Sequence, residues 1–314
     1  MIASPRGRAL IVVLTTMIGV VAVACSGTGA TPSSTLGPVP DGVAADLSVE
    51  VGQGRTQYAD REILLEVTNS SDETMTLLSG ALQADGFGPS RPAKDGRTIA
   101  LRPGTTRDVH VGLGEAECAG FPAGPDEPVP DATPSATITL ALGEYDDLGP
   151  ATDVVVDEVG DPAGHLARNH AVDCAQAAVE AGAQLAVDAD IPVETRGGEL
   201  TALVTVRVEP VDGGPEVTID RLAGTTLMAN PNPRRGTSGW SGRDLAARSA
   251  GEITFPVVPA RCDAHAVGED KRGTFVPVYA SVDGTPQHVF YLPMPDAARA
   301  DLFAYIADYC DWPE

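Results

Sequence analysis

Five histidines, five cysteines and a surplus of carboxylates are the residues of this chain that could do chemistry. The segment with the most suitable types close together is Cys262-Asp263-Ala264-His265, with Glu269 and Asp270 following. On a strand, Asp263 and His265 would project from one face. Glu269 or Asp270 could then complete a three-ligand set for a divalent metal. The competing reading is a polar turn after a disulfide cysteine, in a chain where carboxylates are everywhere. The first half has Glu115 and Glu117 beside Cys118 but no matching histidine, so a metal site would not be shared by the two halves. The expectation is no metal and no cofactor, with Asp263, His265 and Glu269 as the positions to inspect.

Catalytic motifs are missing from the sequence. It has no Gly-x-Ser-x-Gly elbow, no HExxH, no P-loop and no GxGxxG opening a helix after a strand. Tyr145-Asp146-Asp147 lacks the spacing of a calcium loop. Nothing ranks one carboxylate pair above another for glycoside hydrolysis. The chain therefore reads as a non-enzyme. Two Gly/Pro-rich loops are better candidates for recognition. One carries Arg91, Lys94 and Arg97; the other carries Arg234, Arg235 and Arg243, with Trp240 among Gly and Ser residues. An aromatic beside arginines on a loop is a frequent recognition surface, and Asn230-Pro231-Asn232-Pro233 would stiffen this one. Arg234, Arg235, Trp240, Arg91 and Lys94 are the candidate binding residues, with Phe87 as a counterpart of Trp240. The alternative is that the arginines pair with carboxylates and Trp240 covers a sandwich edge. Asp270-Lys271-Arg272-Gly273 reads as a charged turn before a strand at Phe275, with a functional role open to it. Asn69-Ser70-Ser71 fits a glycosylation sequon, a reading that carries little weight if the cell is bacterial.

The elements that must position these residues come in two similar sets. Each half opens with an alternating strand, Ile63, Leu65 and Val67 or Val204, Val206 and Val208. A polar turn leads to a second strand, with Met75 and Leu77 or Val217 and Ile219. After the arginine loop a further strand runs to a cysteine, Val109, Val111 and Leu113 before Cys118, or Ile253, Phe255 and Val257 before Cys262. Later strands hold Ile138, Leu140 and Leu142, or Phe275, Val276 and Val278, and a last one precedes a short helix ending at a cysteine. Asp161-Pro162 and Asp296 are the expected helix starts. In the second helix Leu302, Phe303, Ile306 and Cys310 share one face; Leu166, His170 and Val172 mark the first less clearly.

Four cysteines beyond Cys25 allow two disulfides with three connectivities. The repeat selects Cys118–Cys174 and Cys262–Cys310, each closing a loop of roughly 50 residues and contributing about 4 kcal/mol in the chain-entropy model. Short alternating strands between turn signals imply mainly β structure: two tandem antiparallel β-sandwich domains, each with a short C-terminal helix and one disulfide. Each half resembles an immunoglobulin-like or fibronectin-like module in architecture, without the Cys…Trp…Cys signature of true immunoglobulin domains.

At the start, Arg6 and Arg8 precede an apolar run from Ala9 to Ala24, too short for a spanning helix with stop-transfer flanks and right for a signal peptide. Ala22-Val23-Ala24-Cys25 resembles the bacterial lipobox, which implies cleavage before Cys25 and acylation of its thiol. Ser26 to Ala44 is Ser, Thr, Gly and Pro with almost no large apolar side chain, the composition of a flexible tether. The expected organisation is a signal peptide over residues 1–24, lipidated cysteine and tether over 25–44, and sandwiches over 45–178 and 179–314. The formal charge of −23 argues against nucleic acid and against broad docking on anionic lipid. Lys94 and Lys271 are the only lysines, and the Ala, Gly, Pro and Val content is that of a high-GC coding bias. The chain thus resembles an exported lipoprotein of actinobacterial type, held by its lipid at the outer face of the cytoplasmic membrane. The leading expectation of function is a binding or accessory module that contacts an envelope protein or the wall. A small-solute or metal receptor is the second, and a wall-active enzyme the third.

Overall fold

A strand turns every second side chain to the same face. Ile63, Leu65 and Val67 are accordingly all buried in the computed structural model, as are Val204, Val206 and Val208 in the second half. The structure describes residues 36–92, 97–119, 134–233, 239–241 and 250–312. In the first half the elements are α1 (Asp41–Ala44), β1 (Leu47–Gly52), α2 (Gln57–Asp60), β2 (Glu62–Asn69), β3 (Met75–Gln83), β4 (Arg91–Pro92), β5 (Ile99–Leu101), β6 (Thr106–Gly112), β7 (Ser135–Glu144), β8 (Asp147–Leu148), β9 (Thr152–Val156) and α3 (His165–Glu180). The second half has β10 (Ala183–Val187), β11 (Val193–Arg196), β12 (Glu199–Pro210), β13 (Val217–Leu222), β14 (Met228–Ala229), β15 (Trp240–Ser241), β16 (Gly251–Pro259), α4 (Ala264–Gly268), β17 (Phe275–Val282), β18 (Thr285–Pro286), β19 (Phe290–Pro293) and α5 (Asp296–Tyr309).

The repeat extends to sheet order. One sheet of the first half runs β1-β2-β6-β4, and its equivalent in the second runs β10-β12-β16-β14 with β11 added on β12. The opposing sheets run β5-β3-β7-β8 and β15-β13-β17-β18, with β9 on β7 and β19 on β17. All of these pairings are antiparallel. Even the register break recurs: β3 shifts against β7 between Leu77 and Ser79, and β13 shifts against β17 between Ile219 and Arg221. The chain is thus mainly β, two antiparallel sandwiches in tandem, each closed by a helix and a disulfide. Inward side chains of both sheets fuse into one apolar cluster per half, Val49, Ile63, Met75, Leu101 and Ile138 in one and Val204, Ile219, Phe255, Val276 and Phe290 in the other.

Cys118 bonds to Cys174 and Cys262 to Cys310, each pair with Cα atoms 5.4 Å apart. The helix starts differ from expectation. α3 begins at His165, after Gly164 in the left-handed conformation, and Asp161 reaches forward from the preceding turn to accept from the His165 and Leu166 N–H groups, both at 2.8 Å. Asp296 is the first residue of α5 rather than its cap; its carboxylate pairs with Arg299 one turn on, and its charge suits the positive end of the helix. The folded body also starts earlier than residue 45. Val39 is buried in the first core and its N–H donates to Thr152 Oγ1 at 3.2 Å, while Val43 and Ala44 pack on the same cluster. Cys25 and residues 1–24 lie outside the described residues.

The largest departure concerns α3. Leu166 packs on the first core, whereas Ala175 and Val179 are buried members of the second. The helix lies against β1 on one side and against β10, β17 and β19 on the other. It is shared by the sandwiches.

Candidate functional site

The outer face of a sandwich sheet is normally polar. On β17 and β19 it is not. Val276, Val278, Phe290 and Leu292 point into the core, so their neighbours Phe275, Pro277, Tyr291 and Pro293 point out, and cross-strand register sets Phe275 opposite Pro293 and Pro277 opposite Tyr291. Helix α3 and the short helix α2 cover this apolar wall, and a cavity of about 340 Å³ remains between them. That volume falls in the range of about 300–1,000 Å³ typical of small-molecule sites. Val172, Asp173 and Asn169 come from α3, Tyr58 and Arg61 from the first sandwich, and Arg272 and Phe275 from the second.

Arg272 occupies the middle of the cleft. Its guanidinium carbon lies 4.6 Å from the Tyr58 ring centroid and 4.2 Å from that of Tyr291, so the cation lies over the faces of two π-systems. The turn before it is built to hold it there. Asp270 Oδ2 accepts from the Arg272 and Gly273 N–H groups, and Asp270 Oδ1 accepts from the Thr226 hydroxyl. Among the described residues no carboxylate pairs with the Arg272 side chain and no acceptor takes its N–H groups. Tyr58 is fixed in turn: its hydroxyl receives an N–H from Arg168 and lies 3.3 Å from His165 Nδ1.

Asp173 and Arg61 form the other polar element of the cavity, with Arg61 Nη1 2.5 Å from Asp173 Oδ2. This is an ion pair without an aligned hydrogen bond, since the buried Oδ2 has no well-directed donor. Burial pushes the Asp173 carboxyl up to about 6, and Arg61 offsets only part of that rise. Asn169 is buried and locked by amide exchange with Gln53, donating to Gln53 Oε1 at 2.8 Å and to His165 O at 2.7 Å.

The cleft continues past the Tyr58–Arg272–Tyr291 stack into an open groove of about 800 Å³, bordered by Arg55, Arg261 and Lys271. With Arg61, Arg168 and Arg272, six basic side chains among the described residues line this continuous space. Among the described residues the carboxylates lining it are Asp173, Glu269 and Asp270, so these side chains give the cleft a net positive lining in a strongly acidic protein. A second depression of about 800 Å³ lies on the first sandwich and includes Arg97, Arg107, Asp60, Glu62, Asp108 and Asp153; there carboxylates outnumber arginines.

The residues expected to act are placed otherwise. Trp240 is 1% exposed; it packs on Phe255 with ring centroids 4.6 Å apart, and its indole N–H donates to Pro256 O at 3.0 Å. It is a core residue and offers no recognition surface. Phe87 lies edge-on to His170 at 5.6 Å beside the first core. Arg91 donates to Leu113 O at 3.1 Å along the β4 edge. Arg234, Arg235 and Lys94 lie outside the described residues. Asp263 and His265 do not share a strand face: Asp263 caps α4 by accepting from Ala266 N–H at 2.8 Å, and His265 sits on that helix, exposed, 3.3 Å from Glu269. Asn69 is buried with both amide atoms engaged, Nδ2 donating to Glu73 O and Leu101 O and Oδ1 accepting from Ser71, so the sequon is closed to modification.

One grouping of metal-ligand types does occur among the described residues: Cys118, His170 and Cys174. The two sulfurs are bonded to each other and are not thiolates, so this is a disulfide with a buried histidine against it. His170 supplies, from 52 residues away, the histidine that the Cys118 neighbourhood lacks in sequence.

No family model matches the chain, and no curated protein matches it. Among solved structures it is similar to the Salmonella enterica SafA pilin in complex with the SafB chaperone, at 12% identity over 79% of this chain and 96% of that one, with a TM-score of 0.18. The E. coli chaperone DraB matches at 12% identity over the same shares, with a TM-score of 0.19. At such TM-scores the likeness adds nothing about function.

Proposed function

We infer that the protein is an exported, lipid-anchored binding protein, and that it takes its ligand in the cleft between its two sandwiches. One observation carries this reading: the Tyr58–Arg272–Tyr291 stack, assembled from both sandwiches at the mouth of a ligand-sized cavity. An arginine held by two aromatic faces gives up little conformational freedom on binding, which is how preorganised sites gain affinity. Binding fits the site better than catalysis. Of the titratable groups in the cavity, Asp173 is paired with Arg61, and His288 Nδ1 lies 3.0 Å from its neighbour's carbonyl, Val289 O. The anchor would be Cys25, which places the cleft outside the membrane at the end of a tether.

The test is photocrosslinking in intact producing cells, with a photoreactive residue at Tyr291 or, as control, at the exposed Thr285. Adducts specific to position 291 on membrane-fractionated protein support the reading, together with release of a Cys25→Ala form from that fraction. Adducts independent of position would remove the cleft from consideration.

A further inference from the structure

A guanidinium packed against two aromatic rings meets a ligand best through its edge. That edge carries N–H donors lying in one plane, a fork that matches the oxygens of a carboxylate or phosphate. In Arg272 this edge has no protein acceptor among the described residues, although the turn around it engages its neighbours fully. Arg272 is half-buried and lines the cleft on both sides of the stack, so these donors face the cavity, where a ligand could accept from them. The surroundings restrict what that can be. Cations outnumber carboxylates around the cleft, which favours an anion. The wall beside Arg272 is Phe275, Tyr291 and Pro293 with Val172 opposite, which favours an apolar or ring-bearing body. A free inorganic ion would leave that wall exposed to water, and a neutral ring would leave the guanidinium edge unmet.

We propose that the cleft binds a small organic oxyanion, a carboxylate or phosphate carried on an apolar body of about one ring, with the anion on the Arg272 edge and the body on Phe275 and Tyr291. The proposal rests on reading the cleft as the binding site. Arg168 and Arg61 have other partners and act by field, drawing the anion in rather than clasping it.

The experiment is calorimetric titration of the full-length lipidated protein in nonionic micelles with phenyl phosphate, benzoate, phenol and inorganic phosphate, each referenced to empty micelles. The expected result is saturable binding of phenyl phosphate or benzoate, about tenfold or more tighter than phenol and weakened by salt. Arg272→Gln should remove that advantage while leaving the unfolding midpoint close to the native one. Arg272→Lys, which keeps the charge and loses the fork, should restore less than half of it on the free-energy scale. Phenol binding as tightly as the anions, with Phe275→Ala abolishing both, would overturn the oxyanion assignment and leave the cleft as a binding site. An anion advantage that survives Arg272→Gln would overturn the role of Arg272. Failure of all four probes would overturn both the oxyanion assignment and the cleft reading. Arg272→Gln that does not fold would be replaced by Tyr291→Leu, which removes one face of the stack and should lower anion affinity in the same direction.

Discussion

Asp173 is a carboxyl on a helix packed between two sandwiches, where water reaches it poorly. In the unfolded chain it titrates near 3.9; in the folded protein burial raises it to about 6. Below about pH 4 both states hold the proton and the group contributes nothing. Between about pH 4 and pH 6 the unfolded chain has given up the proton while the folded one still holds it, so stability falls as pH rises across that window. The loss levels off above about pH 7, at about 2–3 kcal/mol. Asp173→Asn keeps the shape of the protonated acid and should lose this slope. Urea unfolding at pH 4 and pH 7.5 checks it: the native protein should lose about 2 kcal/mol more between the two than the variant. Equal losses would mean that Arg61 holds the carboxylate ionised at no cost. Trp240 leads to a prediction of a different kind. It fills a core site against Phe255, so Trp240→Ala should cost about 3–5 kcal/mol, read as a lower denaturation midpoint. A surface residue would change binding and leave the midpoint alone. Its role was hidden in the sequence because Gly and Ser on both sides of it give no strand pattern. The two-residue pairing of β15 with β13 turns it inward.

At the scale of elements, the strands were the legible part. Alternation marks the inward residues of β2, β3, β7, β12, β13 and β16, and the repeat of that alternation is enough to pair the four cysteines. What alternation also contains, read differently, is the cleft. Phe275 to Tyr279 and Phe290 to Pro293 are nearly continuous apolar runs, the signature of a sheet covered on both faces. Taken as simple core strands they conceal the outward set that forms the cavity wall. Helix α3 was hard to read for a related reason. Its apolar positions divide between two cores, so no single stripe announces a helix from His165 to Glu180. The turn from Asp270 to Gly273 was visible as a charged turn, but its purpose depends on Tyr58, more than 200 residues upstream. Gly273 gives that turn a test. A Cβ there would overlap the buried Leu227 side chain and crowd Asp270 Oδ2. Gly273→Ala should therefore displace the turn, cost about 1–3 kcal/mol, and reduce phenyl phosphate affinity more than a surface change of equal stability cost. Unaltered affinity would show that the turn does not set the position of Arg272.

For the whole molecule, the way α3 is shared implies that the sandwiches stand or fall together. Ala175 and Val179 complete the second core, and the same helix is tied at Cys174 to Cys118 of the first half. The Cys118–Cys174 bond therefore constrains the unfolded chain of one sandwich and also holds in place a helix that the other needs. Were the halves independent modules on a linker, removing that bond would destabilise the first alone, by about 2–5 kcal/mol. With α3 shared, the cost should reach both. Both tryptophans lie in the second half, and Trp240 is in its core, so indole fluorescence reports the second sandwich while amide exchange along β7 reports the first. In Cys118→Ala/Cys174→Ala, urea unfolding should show the fluorescence midpoint shifted down together with the loss of β7 protection, in one transition. A fluorescence midpoint that stays put while β7 loses protection would show two separable modules. The cleft would then be a contact between independent bodies, and the Tyr58–Arg272–Tyr291 stack, which needs residues of both, would form only as often as they dock. A single shifted transition means instead that the energy holding each core also holds the cleft in register, so that its geometry is set before any ligand arrives.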